Sequence, residues 1–181
     1  MDNKLTPAQQ KTLLQLVREA ISFYLKTEET LEKDIPDKSF LDKRGAFVTL
    51  KVKGELRGCI GYPIPYKSLY ATIIDAAVSA ASSDNRFQPL TTDELQETKI
   101  EISVLTPPRP VTAIREIKVG THGIIISKGP NRGLFLPQVP IEQNWDLNIY
   151  LEHGCQKAGL DKDEWKKDVK IEIFSAQVFS E

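Results

Sequence analysis

The sequence lacks long apolar runs, has few cysteines and carries almost no net charge. Its longest apolar stretches fall well short of the roughly 20 residues that a membrane-spanning helix needs. A formal charge of −1 provides no positive field for grasping nucleic acid, so that function class has little support. Two cysteines, Cys59 and Cys155, do not form the disulfide framework of a small secreted domain. The start of the chain has no signal-peptide core, and we expect a cytoplasmic protein.

The sequence also lacks the dense motifs of metal and phosphate sites. It contains no Cys-x-x-Cys and no His-x-x-x-His, and its two histidines, His122 and His153, are far apart. Residues 129–133 have glycines and an arginine but not the Lys-Ser/Thr of a P-loop. We therefore predict no metal site, and the sequence indicates no particular cofactor.

The residues that are present are those of a globular protein. With 181 residues, 40% of them hydrophobic and 27% charged, the chain can bury a sizeable core and is unlike a disordered segment. We predict one domain over 1–181, with an N-terminal helix and loop over about 1–43 and a main body over about 44–181. Periodicity and turn signals predict a helix from Thr6-Pro7 to Lys26, a hairpin of 46–52 and 56–62, a helix over 69–81, a strand over 99–105, a hairpin of 124–126 and 134–136, a helix over 145–157 and a final strand over 169–178.

The order of these elements determines the predicted fold class. It lacks the regular β–α alternation of a doubly wound sheet. We therefore predict an α+β protein whose antiparallel-rich sheet is flanked by helices. The sequence of helix, hairpin, helix and strand, followed by hairpin, helix and strand, also fits two lobes with a cleft.

Six segments, taken in order, resemble the AMMECR family, named after the Alport-syndrome, mental-retardation and elliptocytosis chromosomal region. The hexapeptide Leu56–Gly61 (Leu-Arg-Gly-Cys-Ile-Gly) is the hallmark of that family. One small departure is Phe135, where relatives often carry Leu. The matching segments, which span nearly the whole chain, are residues 44–49, 56–61, 84–87, 101–105, 133–139 and 157–160 followed by Trp165.

The resemblance implies an AMMECR-like α+β fold with the hexapeptide near a cleft. It also implies association with a Memo-like protein and a radical-SAM protein. It does not imply an established reaction, and whether the chain is an enzyme stays open at this point.

Cys59 is the residue most suggestive of chemistry. Alternate side chains of a strand share a face, so we predict that Arg57, Cys59 and Gly61 lie together, with Leu56 on the other face. A nearby arginine favours the thiolate, which is the nucleophilic form of cysteine. Gly58 and Gly61 allow a ligand or another backbone to come close. The alternative is an inert, packed cysteine with glycines that mark a bulge.

Four charged residues are candidates for ligand binding. The guanidinium groups of Arg44 and Arg57 suit a carboxylate or a phosphate. For Arg57, the alternative is an internal ion pair with Asp84 or Glu101. Asp84 and Arg86 belong to a compact polar loop, which either has a structural role or lies beside the same cleft as the hexapeptide.

Three further residues complete the candidate site. Glu101 is a candidate base or a group that binds a cation, and Ser103 is a candidate ligand contact on the same face of its strand. If that face meets solvent, both are ordinary polar positions. His122 is a weaker catalytic candidate, because it can meet Cys59 only through the fold.

Two function classes compete on these residues. The first is a small-molecule-binding enzyme or ligand-processing subunit that uses the hexapeptide. The second is a non-catalytic adaptor that docks a Memo-like or radical-SAM partner. The sequence carries no signal for oligomeric state.

Overall fold

The computed structural model describes residues 4–35 and 37–181, which form two compact units. The first unit extends to Leu105 and includes Gln177–Glu181, and the second unit comprises Thr106–Ala176. The first three residues of the predicted N-terminal segment, and Pro36 of the predicted loop, lie outside the described residues. None of the helices described is both long and apolar enough to cross a membrane.

Helix α1 (Pro7–Thr27) begins where the sequence predicts, because Thr6 and Gln9 cap each other. The Thr6 hydroxyl accepts a hydrogen bond from the Gln9 N–H (3.3 Å), and the Gln9 side chain accepts one from the Thr6 N–H (2.8 Å). The helix packs against α2 (Leu69–Ser82) and against the strand β3 (Thr98–Leu105). Its buried stripe consists of Leu13, Leu14, Leu16, Val17, Ala20 and Ile21.

The first unit contains a four-stranded sheet in the order β2–β1–β3–β8. The strands are β1 (Ala46–Val52), β2 (Glu55–Tyr62), β3 (Thr98–Leu105) and β8 (Ala176–Ser180), and β1 is antiparallel to both of its neighbours. One face is buried in the core with α1 and α2, through residues such as Val48, Leu50, Ile100 and Ile102. We call the opposite face the thiol face; it carries Phe47, Thr49, Lys51, Cys59, Gly61, Glu101 and Ser103.

A β-bulge in β2 sets which residues of the hexapeptide lie on the thiol face. Lys51 pairs with Leu56, whereas the next pair is Leu50 with Gly58, so Arg57 is an extra residue on β2. Leu56 therefore lies on the same face as Cys59. The predicted strict alternation, with Arg57 in phase with Cys59 and Leu56 opposite, is wrong for this reason.

The second unit contains a sheet in the order β4–β7–β5–β6, all of whose described pairs are antiparallel. In the first unit, a short helix α3 (Thr92–Glu97) precedes β3. The second unit contains the helices α4 (Val139–Glu142) and α5 (Leu147–Lys157), and α5 packs against β5 and β6. Its core includes Ile124, Ile126, Tyr150 and Leu151. The elements of the second unit are β4 (Arg109–Pro110), β5 (Gly123–Lys128), β6 (Asn131–Phe135), α4 (Val139–Glu142), α5 (Leu147–Lys157) and β7 (Lys170–Phe174).

The predicted final strand over 169–178 is two strands that belong to different sheets. At Ser175 the chain leaves β7 and then enters β8, which pairs with β3. Thr106 holds this point, because its N–H donates to the Ser175 carbonyl (2.8 Å) and its hydroxyl accepts from the Ser175 N–H (2.9 Å). The prediction of an α+β fold with antiparallel sheets flanked by helices is confirmed.

Gly58 lets α2 come close to β2, and we expect Gly58→Ala to destabilise the protein. An added Cβ would lie 2.1 Å from the carbonyl oxygen of Ala80, so the helix would have to move. We expect a loss of about 2–3 kcal/mol in the free energy of unfolding, measured by urea denaturation. The control is Gly54→Ala in the β1–β2 turn, where φ is +86° but the space is open; it should cost only about 1 kcal/mol. Equal losses in the two variants would contradict the packing argument.

Candidate functional site

Cys59 lies on the thiol face beside a hydroxyl group. Its Sγ is 3.3 Å from the Oγ1 of Thr49, the residue directly opposite on β1. Cys59 is half-buried, unlike Cys155, which is fully buried in the second unit. Cys59 is therefore a half-buried residue whose thiol has a defined polar neighbour.

Asp84 and Arg86 hold both backbone groups of Cys59. The Asp84 carboxylate accepts a hydrogen bond from the Cys59 N–H (2.9 Å), and the Arg86 guanidinium donates to the Cys59 carbonyl (3.2 Å). The two side chains also form an ion pair with each other at 2.6 Å, in which the Asp84 side chain is only 3% exposed. The Arg86 guanidinium, together with the Cys59 and Arg86 N–H groups, holds the pKa of Asp84 well below its ordinary value despite burial.

This pair of side chains occupies the outer edge of the sheet. β2 is a terminal strand, and no strand among the described residues pairs with the backbone groups that point away from β1. Unpaired backbone N–H and C=O groups of an edge strand can pair with a strand of another chain. Asp84 and Arg86 satisfy those of Cys59 much as a further strand would, and thereby fix the strand at the position of the thiol.

Arg57 is engaged by Glu94 rather than by Cys59. Its guanidinium donates to both carboxylate oxygens of Glu94 (2.9 and 3.1 Å) and to the carbonyls of Gln88 and Pro89. Neither Asp84 nor Glu101, the alternatives that the sequence suggested, is its partner in these bonds. The positive charge of Arg57 is therefore matched by a carboxylate within the first unit.

Close packing accounts for the two glycines of the hexapeptide. Gly58 faces the backbone of α2 at Ala80, and Gly61 lies beneath the ring of Phe47, which a Cβ at position 61 would meet at 2.3 Å. Phe47 pairs with Gly61 on one side and with Ser103 on the other. The glycines thus serve contacts within the unit.

Glu101 and Ser103 lie on the thiol face, on the strand beyond β1. Thr49 pairs with Cys59 on one side and with Glu101 on the other. Two strand spacings separate Cys59 from Glu101, a backbone distance of about 10 Å. Glu101 forms an ion pair with Lys51 at 3.1 Å, while Ser103 is 7% exposed.

Two further sequence candidates belong to other segments of the chain. Arg44 is buried at the entrance to β1, where its Nε donates to the Leu105 carbonyl (3.2 Å) and burial lowers its pKa. His122 belongs to the second unit, where its Nδ1 accepts from the Lys118 N–H and its carbonyl accepts from the Tyr150 hydroxyl. Burial, with a smaller effect of Arg109, lowers the pKa of His122.

The structure thus brings together Cys59, Asp84 and Arg86, and extends the group through Thr49 to Glu101. Sequence reasoning missed Thr49, the neighbour of the thiol, and Glu94, the partner of Arg57. Counting outward from the turn at Lys53-Gly54 pairs Thr49 with Gly58 unless the bulge is included.

Within the described part of the chain, no three His, Cys, Asp or Glu side chains group closely enough to hold a metal ion.

Comparison with known proteins places the chain in a family. The AMMECR1 family matches residues 14–179, a range that includes β2 and the Asp84–Arg86 loop. The chain belongs to the AMMECR1 family. Its AMMECR1 relatives include a protein of Methanopyrus kandleri that is 46% identical over all of this chain and 92% of its own length. A protein of Methanothermobacter thermautotrophicus is 43% identical over 94% of this chain and 93% of its own length.

A solved structure agrees with this AMMECR1 assignment. The crystal structure of an uncharacterized protein from Pyrococcus horikoshii matches with a TM-score of 0.81 and 41% sequence identity. The match covers 94% of this chain and 90% of that one. The α+β fold and the family are therefore shared, whereas the function must be argued from the site.

The Arg57–Glu94 pair predicts a pH dependence of stability. The Arg57 guanidinium and the Thr91 N–H lower the pKa of Glu94 to about 2, below its ordinary value of about 4.3. The unfolded chain then binds a proton that the folded chain does not, so this stabilisation is complete above about pH 5 and is lost as the pH falls towards about 2. We expect Glu94→Gln to lose stability near neutral pH and to converge with the wild type in acid.

Urea midpoints measured across this pH range give the comparison. The control is Glu97→Gln on the same helix, whose pair with Lys53 is exposed and 3.6 Å long and should contribute little. A constant difference between Glu94→Gln and the wild type at all pH values would contradict the assignment.

Proposed function

We propose that the first unit binds a small molecule on the thiol face, with Cys59 in contact with the ligand, as an enzyme or ligand-processing subunit. One observation carries the proposal. Cys59 is half-buried with its thiol beside the Thr49 hydroxyl, while Asp84 and Arg86 hold both backbone groups of the same residue.

The cost of the Asp84–Arg86 arrangement supports a positioning role. Burying a carboxylate is costly unless an opposite charge and hydrogen bonds compensate it. Arg86 supplies the opposite charge to Asp84, and both side chains form hydrogen bonds with the backbone of Cys59. Cys155 offers a comparison within the chain, since it is fully buried and burial raises the pKa of its thiol. Packing alone accounts for Cys155, whereas Cys59 is half-buried and has its backbone held by two side chains.

The neighbouring groups suit a ligand with polar atoms. The Thr49 hydroxyl can donate or accept a hydrogen bond, and the Lys51–Glu101 pair offers one charge of each sign. Glu101 lies two strands away from Cys59, and its carboxylate forms an ion pair with Lys51. We therefore assign Glu101 to ligand binding and leave the thiol with Thr49 as its immediate partner.

Alkylation of Cys59 in a Cys155→Ser background tests this proposal. We expect iodoacetamide to label Cys59 in the folded protein, and a ligand from a small-metabolite filtrate to slow the labelling. Thr49→Val should change the labelling rate about fivefold, the equivalent of one hydrogen bond of about 1 kcal/mol. The control, Thr121→Val at an exposed turn of the second unit, should leave the rate unchanged. Labelling that occurs only on unfolding would identify a packed structural cysteine and overturn the proposal.

A second candidate function is an adaptor that docks a Memo-like partner. The observation in its favour is a small cavity of about 160 Å³ that follows β2 and has a mainly apolar surface. It is lined by Tyr62, Ile64, Tyr66, Lys67, Thr72 and Asp75. It is smaller than the 300–1,000 Å³ of ordinary ligand sites, so it suits one apolar side chain of a partner. Tyr66 is 75% exposed beside it, and aromatic anchors often dominate protein interfaces.

Binding of the purified Memo-like protein distinguishes the two functions. We expect Tyr66→Ala to weaken that complex about thirtyfold, because truncating an anchor typically costs at least about 2 kcal/mol. Val178→Ala, a substitution at another exposed apolar residue of the first unit, is the control. If the Memo-like protein does not bind at micromolar concentration, or binds the Tyr66→Ala variant equally well, the adaptor function fails.

A further inference from the structure

Tyr70 on α2 has a buried hydroxyl without a hydrogen-bond partner. The residue is 6% exposed, and no group among residues 4–35 and 37–181 bonds its oxygen. Buried polar side chains are nearly always paired, so such an exception requires an explanation. Burial raises the pKa of Tyr70, so the hydroxyl stays protonated and can donate to an acceptor.

Tyr70 lines two cavities. One, of about 180 Å³, lies towards α1 and is lined by Leu16, Glu19 and Lys33 besides Tyr70. The other, of about 280 Å³, lies beneath the segment 30–35 and again includes Lys33 and Tyr70. Tyr70 thus lines two spaces that share one cationic residue, Lys33.

Lys33 and Glu19 form an ion pair that lines these spaces. The Lys33 Nζ is 2.9 Å from each carboxylate oxygen of Glu19, and the two side chains are 53% and 49% exposed. A half-exposed pair contributes little to stability, so separating its partners costs little. Together with Asp34, these are the charges that act on the Tyr70 hydroxyl.

We propose that Tyr70, Lys33 and Glu19 form a binding site for a zwitterionic α-amino acid with an aliphatic side chain. The ligand carboxylate replaces Glu19 as the partner of Lys33 and accepts the unused hydrogen bond of Tyr70. The ligand ammonium replaces Lys33 as the partner of Glu19. One weak ion pair is thereby exchanged for two, and the buried hydroxyl gains its acceptor.

The walls of the cavities account for the choice of side chain. Leu16 lines one cavity, and Leu31 and Ile74 line the other. Each cavity is smaller than an ordinary ligand site, which suits a molecule of amino-acid size. Leucine combines the two charged groups with an apolar side chain of four carbons and is therefore the probe.

This site is independent of the thiol face. Tyr70 belongs to α2, which packs on the face of the sheet opposite to Cys59. Substituting Cys59 should leave leucine binding unchanged, and substituting Tyr70 should leave alkylation of Cys59 unchanged. The two proposals therefore fail or hold separately.

Titration of the full chain with L-leucine, followed by ¹H–¹⁵N NMR, tests the proposal. We expect saturable shifts around Glu19, Lys33 and Tyr70, and none with isoamylamine or isocaproate, which each lack one charged group. Tyr70→Phe should weaken leucine binding about tenfold, because it removes a hydrogen bond to a charged group. Tyr66→Phe, at an exposed tyrosine elsewhere in the first unit, should bind as the wild type does.

Three results would overturn the site. They are the absence of saturable shifts with leucine, equal binding of isoamylamine or isocaproate, and unchanged leucine affinity in Tyr70→Phe. Unchanged leucine affinity in Tyr70→Phe would show that the Tyr70 hydroxyl is unpaired only because of the way the side chain packs. Lys33→Gln, in an exposed segment, gives a second measurement if Tyr70→Phe fails to fold, and it should also weaken binding about tenfold.

Discussion

The extra residue at Arg57 in β2 determines how the hexapeptide is presented. Without it, continued two-residue alternation from the turn would place Cys59 opposite Val48, on the face buried with the helices. With it, Cys59 meets Thr49 on the thiol face and Gly58 turns towards Ala80. One inserted residue therefore places Cys59 on the face opposite the helices and Gly58 against α2.

The charged side chains around β2 stabilise this bulged strand from outside. Arg57 ties the bulge to Glu94 and to the carbonyls that precede α3, while Asp84 and Arg86 hold the next part of the edge at Cys59. A bulge on a terminal strand leaves backbone groups without ladder partners. Residues that looked like ligand contacts are thus largely occupied in fixing the strand, and the groups left for a ligand are those of the thiol face.

Local sequence signals predicted much of the fold. The site depends on pairing between residues that are distant in the sequence, and little of it could be predicted. Thr6 and Gln9 fix the start of α1 by neighbouring contacts, and alternation locates β3 because its pattern is contained in the strand itself. The glycines of the hexapeptide suggested a bulge as one alternative but did not locate it at Arg57, so the partner of Cys59 could not be counted from the turn. The division of the last strand at Ser175 was likewise hidden, because an apolar pattern continues through it while the pairing partner changes.

The return of β8 to the first unit has a consequence for cooperativity. Roughly seventy residues separate Leu105 from Gln177, and closing a flexible loop of that length costs about 4 kcal/mol in chain entropy. When the second unit is folded, Thr106 and Ser175 hold its two ends together, so β8 reaches β3 without that cost. The second unit thereby acts on the first through chain connectivity, and loss of its structure would loosen the edge strand β8.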